Sequence, residues 1–301
     1  MHEPLISICI PAYKAERFLE ETLASVRAQT FTDWEMIVTE DGSRDRTEEI
    51  VTAFAATVSQ TVRYTRHDPN RGLPATRNAG FASARAQWIA LLDSDDLWMP
   101  EHLAIGQAAI ARTGADFIHS GSVLFDSDNG RELELRAPSP ELCQSLPLSL
   151  FDARYVIQPS SVLLHRDLWE RAGRFDPDFR YVEDRDMWLR CARAGARIEY
   201  TGYNTCRYRK HGHALSTHSA AMAEAAARVF AKHLDWDAIP AALRRRYCAR
   251  AWADAARLSW RSNPGAAAAL FHRACAVNWS LGWWAHGMLC RLLAIRQSRL
   301  S

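Results

Sequence analysis

A chain of 301 residues that is 48% hydrophobic and 24% charged is too apolar for wholesale disorder, and 14 Gly and 12 Pro are too few for a collagen-like or low-complexity architecture. The net charge is only +2 but is unevenly spread: from residue 241 onward ten Arg stand against one acid, Asp254, which leaves 27 basic and 34 acidic groups in the first 240 residues. Seven scattered Cys with no C-x-x-C pair argue against a disulfide framework or a zinc knuckle and for buried thiols in a reducing compartment.

In chain order, residues 5–10 (Leu-Ile-Ser-Ile-Cys-Ile) predict a buried strand that ends at Pro11, and residues 16–29 a helix carrying Phe18, Leu19, Thr22, Leu23 and Val26 at helical spacing. A strand over 34–39 runs into Glu40-Asp41-Gly42-Ser43, where Ser43 is placed to cap the helix that begins at Thr47. Residues 62–66 predict a third strand, Asn70-Arg71-Gly72 a turn, 74–85 a helix, and 88–92 a fourth strand that runs into Asp93-Ser94-Asp95-Asp96. A helix over 101–112 and a strand over 115–125 follow. Strands alternating with helices predict a parallel, doubly wound α/β sheet, whose ligands sit beyond the carboxyl ends of the strands. The polar clusters fall at those ends.

From 126 to 154 the pattern breaks, and three prolines suggest an irregular excursion able to cover the cleft. Strand 160–164, helices 167–172 and 183–194, and strand 198–208 complete the α/β part, ending at Lys210-His211-Gly212-His213. Beyond 216 the sequence predicts helices over 216–234, 241–262, 265–277 and 281–296, separated by Pro240 and Asn263-Pro264-Gly265. Residues 241–277 have the texture of a single tetratricopeptide-like hairpin.

Several residue types in this pattern point to chemistry. Asp93-x-Asp95 brings hard oxygen ligands together just past a buried strand, a donor set suited to Mg2+ or Mn2+; the same residues would also serve a capped turn. Asp41 is an acceptor able to take a nucleobase N–H, or a helix cap. Arg77 lies in a helix opened by a Gly turn, where free N–H groups favour anions; it could equally be a solvated surface residue. Tyr13 could stack on a base or pack in the core. Glu183 and Asp184 open a helix, where acids complement the helix dipole, and one of them could act as a general base.

Five stretches in register resemble family 2 glycosyltransferases of the GT-A fold: Ile8-Cys9-Ile10-Pro11-Ala12-Tyr13, residues 34–47, residues 70–80, residues 91–96 and residues 181–190. The resemblance implies an inverting, metal-dependent (Mn2+ or Mg2+) hexosyltransferase that moves one sugar from a nucleoside-diphosphate sugar to an acceptor hydroxyl, saccharide or lipid-linked, in bacterial-type surface polysaccharide or glycoconjugate synthesis. It implies that Pro11 and Tyr13 line the nucleoside pocket, Asp41 accepts from the base, and Arg77 reaches a base carbonyl or phosphate. Asp93 would contact ribose or metal-bound water, Asp95 would ligate the metal, and Asp184 would be the general base, with Glu183 and Trp188 on the acceptor side. His211 matches a position near the diphosphate and metal, with His213 and His218 close enough to compete for that role. UDP is the default nucleotide, because Asp41 and Arg77 suit uracil, although thymine presents the same edge.

The sequence departs from the family pattern at Arg46, where Gly is usual, and at Ala12, which offers no side-chain hydrogen bond. It has no Gln-x-x-Arg-Trp motif, which speaks against a processive synthase. A nucleotidyltransferase would carry a Gly-rich loop after the first strand, where Pro11-Ala12-Tyr13-Lys14 stands instead; a non-catalytic sugar- or lipid-binding adaptor would not need Asp93, Asp95 and Asp184 together. The expected organisation is a catalytic domain over 1–215, with a nucleotide-sugar half over 1–125 and an acceptor half over 126–215, followed by a basic, Trp-rich helical region over 216–301. Five of the eleven Trp lie after residue 250, and the options for that region are an anionic membrane surface, packing on the catalytic domain, or a homodimer. No basic and apolar leader and no run of about 18 apolar residues is present, so the expectation is a cytoplasmic protein, or one peripheral at the inner face of the cell membrane, with no nucleic-acid partner.

Overall fold

A computed structural model of the chain describes residues 3–212 and 219–298. It divides into two compact units, one running up to His211 and the other from Gly212 onward. His213 and His218 lie outside the described residues.

The first unit is built on β1 (Ile6–Ala12), β2 (Trp34–Glu40), β3 (Val62–Arg66) and β4 (Trp88–Leu91), joined by α1 (Leu19–Arg27), α2 (Thr47–Ala55) and α3 (Leu73–Ser83). β1 pairs in parallel with both β2 and β4, and β2 with β3. Every residue of β1 and β2 is buried, as expected for parallel strands covered on both faces. Ile6, Ile8, Ile10, Met36 and Val38 share one core with Leu19, Leu23 and Val26 of α1 and with Ile50 and Val51 of α2. On the opposite face Gly80 of α3 lies against Thr39 and Cys9; a Cβ there would stand 3.3 Å from the Thr39 hydroxyl.

β1 does not stop at Pro11, as the sequence suggests, but continues through Ala12 with Pro11 opposite Thr39. β4 pairs with β1 only as far as Cys9, so the missing Pro11 N–H costs no ladder bond.

Beyond β4 the sheet becomes mixed. β5 (Leu97–Trp98), α4 (His102–Thr113), β6 (Phe117–Asp126), β7 (Glu132–Arg136), α5 (Pro140–Gln144), α6 (Leu148–Phe151), β8 (Val162–His165), α7 (Arg166–Arg171), α8 (Glu183–Arg193) and β9 (Ile198–Lys210) complete a nine-stranded sheet of order β3-β2-β1-β4-β8-β6-β9-β5, with β7 on β6. The β4–β8, β8–β6, β6–β7 and β9–β5 pairs are antiparallel, while β6 and β9 pair in parallel. The excursion over 126–154 is therefore not irregular. It supplies a strand and two short helices, and Ser149, Leu150 and Phe151 are buried.

The second unit contains α9 (Ser219–Lys232), α10 (Ala241–Ser259), α11 (Pro264–Val277) and α12 (Leu281–Ser298), each packed on the next. Pro264 at the first turn and the Asn263 side chain, which accepts from the Ala266 N–H at 3.0 Å, start α11. Among the described residues no helix is long and apolar enough to cross a membrane.

Candidate active site

The polar ends of β1, β2 and β4 meet at one edge of the sheet. The Asp41 N–H donates to the Ala12 carbonyl (2.8 Å) and the Leu92 N–H to the Cys9 carbonyl (3.1 Å), which ties the three strand ends together. Glu40, 1% exposed, shapes the turn after β2: its carboxylate accepts from the backbone N–H groups of Gly42 and Ser43 and from the Ser43 hydroxyl. Ser43 does not cap α2. Its oxygen accepts from the Lys14 N–H at 3.1 Å, linking the Tyr13 turn to this one, and the residue at the α2 N-cap is Arg46, without a side-chain cap.

Asp41 is buried and acts first as an anchor. Its carboxylate accepts from the backbone N–H groups of Arg71 and Gly72, both at 2.8 Å, and meets His67 Nδ1 at 2.9 Å. Those contacts occupy three of roughly four acceptor positions and pin the loop that opens α3. Gly42, at φ 78°, makes the approach possible, because a Cβ there would lie 2.8 Å from the Asn70 nitrogen. Tyr13, just past β1, is half exposed and not part of the core. Pro11 is buried within the strand.

Arg77 differs most from the sequence expectation. It is 2% exposed, its Nη2 donates to Asp93 at 2.7 Å, its Nη1 donates to Glu183, and its guanidinium lies 5.6 Å from the centre of the Phe175 ring. It joins the carboxylates after β4 to those that open α8. Burial pulls the Arg77 pKa down, but Asp93 and Glu183 more than offset this and raise it. Glu183 is 5% exposed, and burial pushes its pKa up to about 7 against the pull of Arg77. Asp184 is only partly buried, and burial likewise raises its pKa. The Asp184 Oδ1 accepts from the Arg185 N–H at 2.7 Å, and among the described residues no cationic side chain is paired with it. Val182, at φ 53°, sits in the left-handed region immediately before α8, a strained place for a β-branched residue that turns the first helical turn toward Arg77.

Trp188 is a core residue, not an acceptor contact. It is 1% exposed, packed edge-on against Phe117, and its indole N–H donates to the Ile157 carbonyl at 3.3 Å.

Asp95 and His211 come together from β4 and β9, with Oδ2 and Nε2 2.9 Å apart. Two adjacent ligands of an octahedral ion at about 2.1 Å stand about 3.0 Å apart, so this pair fits two neighbouring positions on Mg2+ or Mn2+. Among the described residues no cluster of three or more His, Cys, Asp or Glu could hold a metal, which leaves the other positions to water and substrate oxygen. Phe18 packs on the His211 ring at 4.9 Å.

Two supporting residues carried no motif. Ser160 accepts from the Asp93 N–H (3.0 Å) and donates to Asp96 (2.6 Å), whose carboxyl burial and the neighbouring Asp95 and Asp93 hold well above the ordinary range. Arg209 donates from Nε to the Asp95 carbonyl (2.7 Å), from its backbone N–H to Asp96 (2.9 Å), and from Nη2 to Glu21 (2.7 Å). Arg209 lies two residues before His211 at the end of β9, so strand alternation alone puts the two on one face.

One buried guanidinium, that of Arg77, thus joins two separated acidic stretches, the one after β4 and the one that opens α8. Residues 7–170, more than half of the chain, match the model of the family described as "Glycosyl transferase family 2". The chain belongs to that family. Among curated relatives of this glycosyltransferase, the uncharacterized glycosyltransferase EpsJ of Bacillus subtilis is 30% identical over 71% of this chain, and the match spans 63% of EpsJ, so the chain covers less than two thirds of that relative. A UDP-Glc:alpha-D-GlcNAc-diphosphoundecaprenol beta-1,3-glucosyltransferase, WfgD of Escherichia coli, is 27% identical over 43% of this chain and half of its own length. Among solved structures, S. aureus TarS 1–349 in complex with UDP superposes with a TM-score of 0.65 at 17% identity, over 97% of this chain and 88% of that one. The Pyrobaculum calidifontis mannosyltransferase PcManGT in complex with GDP-Man and Mn2+ superposes with a TM-score of 0.62 at 17% identity, over 98% and 88%. At that identity the structural likeness establishes the GT-A fold.

Proposed function

We propose that this family 2 glycosyltransferase moves one sugar, with inversion, from a nucleoside-diphosphate sugar to a hydroxyl of a saccharide or lipid-linked acceptor, with UDP the favoured nucleotide. The observation that carries the reading is the Arg77 bridge, which brings Asp93 of the D-x-D stretch and Glu183, next to Asp184, onto one guanidinium. A metal motif and a partly exposed carboxylate on one cleft are the two halves of a metal-assisted displacement. The names of the similar proteins support the nucleotide and acceptor classes: TarS in complex with UDP, PcManGT with GDP-Man and Mn2+, and WfgD, which acts on a diphosphoundecaprenol-linked sugar.

Asp95 and His211 would hold Mn2+ or Mg2+, which when bound offsets the charge of a departing diphosphate as a Lewis acid. Tyr13 is exposed at the end of β1, where its ring can stack on a base, and Asp41 keeps one acceptor position for a base N–H. Asp184 takes the proton from the acceptor hydroxyl as its oxygen attacks the anomeric carbon on the face opposite the leaving group. Glu183 stays paired with Arg77 and keeps the first turn of α8 in place. The segment that carries α5 and α6 forms part of the acceptor side and helps to exclude water.

Asp184→Asn tests this directly. Turnover should fall by roughly 100-fold or more while UDP affinity, measured by calorimetry, stays unchanged. Near-normal turnover would place the base elsewhere.

A further inference from the structure

α12 carries two apolar faces, and its own unit accounts for one. Gly287 and Cys290 are buried, and a Cβ on Gly287 would lie 3.3 Å from Phe271 of α11, so this side packs closely within the unit. Leu281, Trp284, Met288 and Leu292, spaced by three and four residues, form a stripe on the other side, with exposures of 63%, 47%, 37% and 63%. Trp279, in the turn just before α12, is 68% exposed. The outer face of a helix at the edge of a stack is ordinarily polar, and a continuous exposed apolar stripe marks a contact surface.

Charge selects among possible occupants. The ten Arg from residue 241 onward face a single acid, Asp254, which is already held by Arg257 at 2.6 Å and Arg250 at 3.7 Å. Arg245, Arg246, Arg261, Arg273 and Arg291 are exposed. A second copy would bring the same excess of positive charge and be repelled, whereas an anionic lipid surface would neutralise it. Trp and Leu beside Arg also match the chemistry of the headgroup boundary, where rings and aliphatic chains enter and guanidinium groups stay with phosphate. Because α12 does not qualify as a membrane span, a helix of this kind lies in the plane of the interface.

We infer that α12 is an in-plane anchor whose stripe of Leu281, Trp284, Met288 and Leu292 enters the surface of an anionic bilayer while the tail arginines meet its headgroups. This deepens the transferase reading and rests on it only for its purpose, to bring the cleft to an acceptor carried in lipid; the binding itself needs no turnover. The test is co-sedimentation of the full chain with vesicles of phosphatidylcholine containing phosphatidylglycerol, with vesicles of phosphatidylcholine alone, and at low and high salt. The chain should pellet with the anionic vesicles, be released by salt, and ignore the neutral ones. The double variant Trp284→Glu/Leu292→Glu should lose partitioning by about tenfold or more while keeping its circular dichroism and UDP affinity. Equal partitioning onto both vesicles, or a double variant that binds like the parent, overturns the inference. So does a parent that is dimeric by sedimentation equilibrium and becomes monomeric in the variant without binding vesicles, since a second copy would then cover the stripe. A chain that binds UDP but not vesicles sinks the anchor and leaves the transferase reading standing; one that binds vesicles but not UDP does the reverse.

Discussion

Glu183 and Asp184 are adjacent and chemically alike, and Arg77 gives them different work. The guanidinium occupies Glu183 and leaves Asp184 as the carboxylate able to receive a proton. A base works only when deprotonated, and burial raises the Asp184 pKa, so activity should fall as pH drops through that raised value. The acid limb of kcat/KM is therefore expected above the ordinary aspartate range. Arg77 pulls both carboxyl pKa values down, so Arg77→Met should move the limb to still higher pH, and Arg77→Lys, which keeps the charge but loses the fork, should move it less. Removing the buried cation also strands its partners, at a cost of roughly 3–5 kcal/mol, which makes the Lys variant the safer reporter if the Met variant fails to fold. A pH–rate profile unchanged in both variants would remove Arg77 from the mechanism.

At the scale of elements, the loop that opens α3 is held by Asp41 through a turn that only Gly42 permits. Gly42→Ala adds a left-handed alanine and a contact with Asn70, so it should cost at least about 1 kcal/mol and lower Tm by about 2–4 °C. UDP affinity should fall with it, because the turn sets the Asp41 carboxylate; differential scanning calorimetry and titration together check this. The repeating strands and helices were legible because apolar spacing reports burial: β1, β2, β4, α1 and α8 lie close to where periodicity puts them. Pro11 misled because the rule that proline ends a strand ignores which side of the strand still needs a partner. β5 is only two residues long, and β7 alternates Leu133 and Leu135 with charged residues over just five positions, a pattern too short to stand out beside the prolines that follow. Asp41, Asp93, Asp95 and His211 stand out in the sequence as polar groups at strand ends, and Asp184 as an acid in the first turn of a helix; their roles belong to the proposed function. The partners of Arg77 were not, since Glu183 lies 106 residues away and nothing local encodes that pairing. Trp188 shares its helix with the acids but faces inward, a distinction that helical spacing contains and that motif matching overlooks.

For the whole molecule, the proposed donor site draws on residues at the ends of β1, β2, β4 and β9, so a donor would bind the folded chain and not the unfolded one. A nucleotide-sugar at about a hundred times its dissociation constant should therefore add about 2.7 kcal/mol and raise Tm, and a screen of donors should show one base preferred, UDP by this account. The most direct measurement is calorimetric titration of UDP into the parent chain and Asp95→Ala, each with and without Mn2+. The account predicts that Mn2+ tightens UDP binding to the parent by about tenfold or more and does nothing for Asp95→Ala, because Asp95 and His211 would carry the ion to the diphosphate. Equal UDP affinity in the parent with and without Mn2+, or a Mn2+ effect that survives in Asp95→Ala, would contradict it.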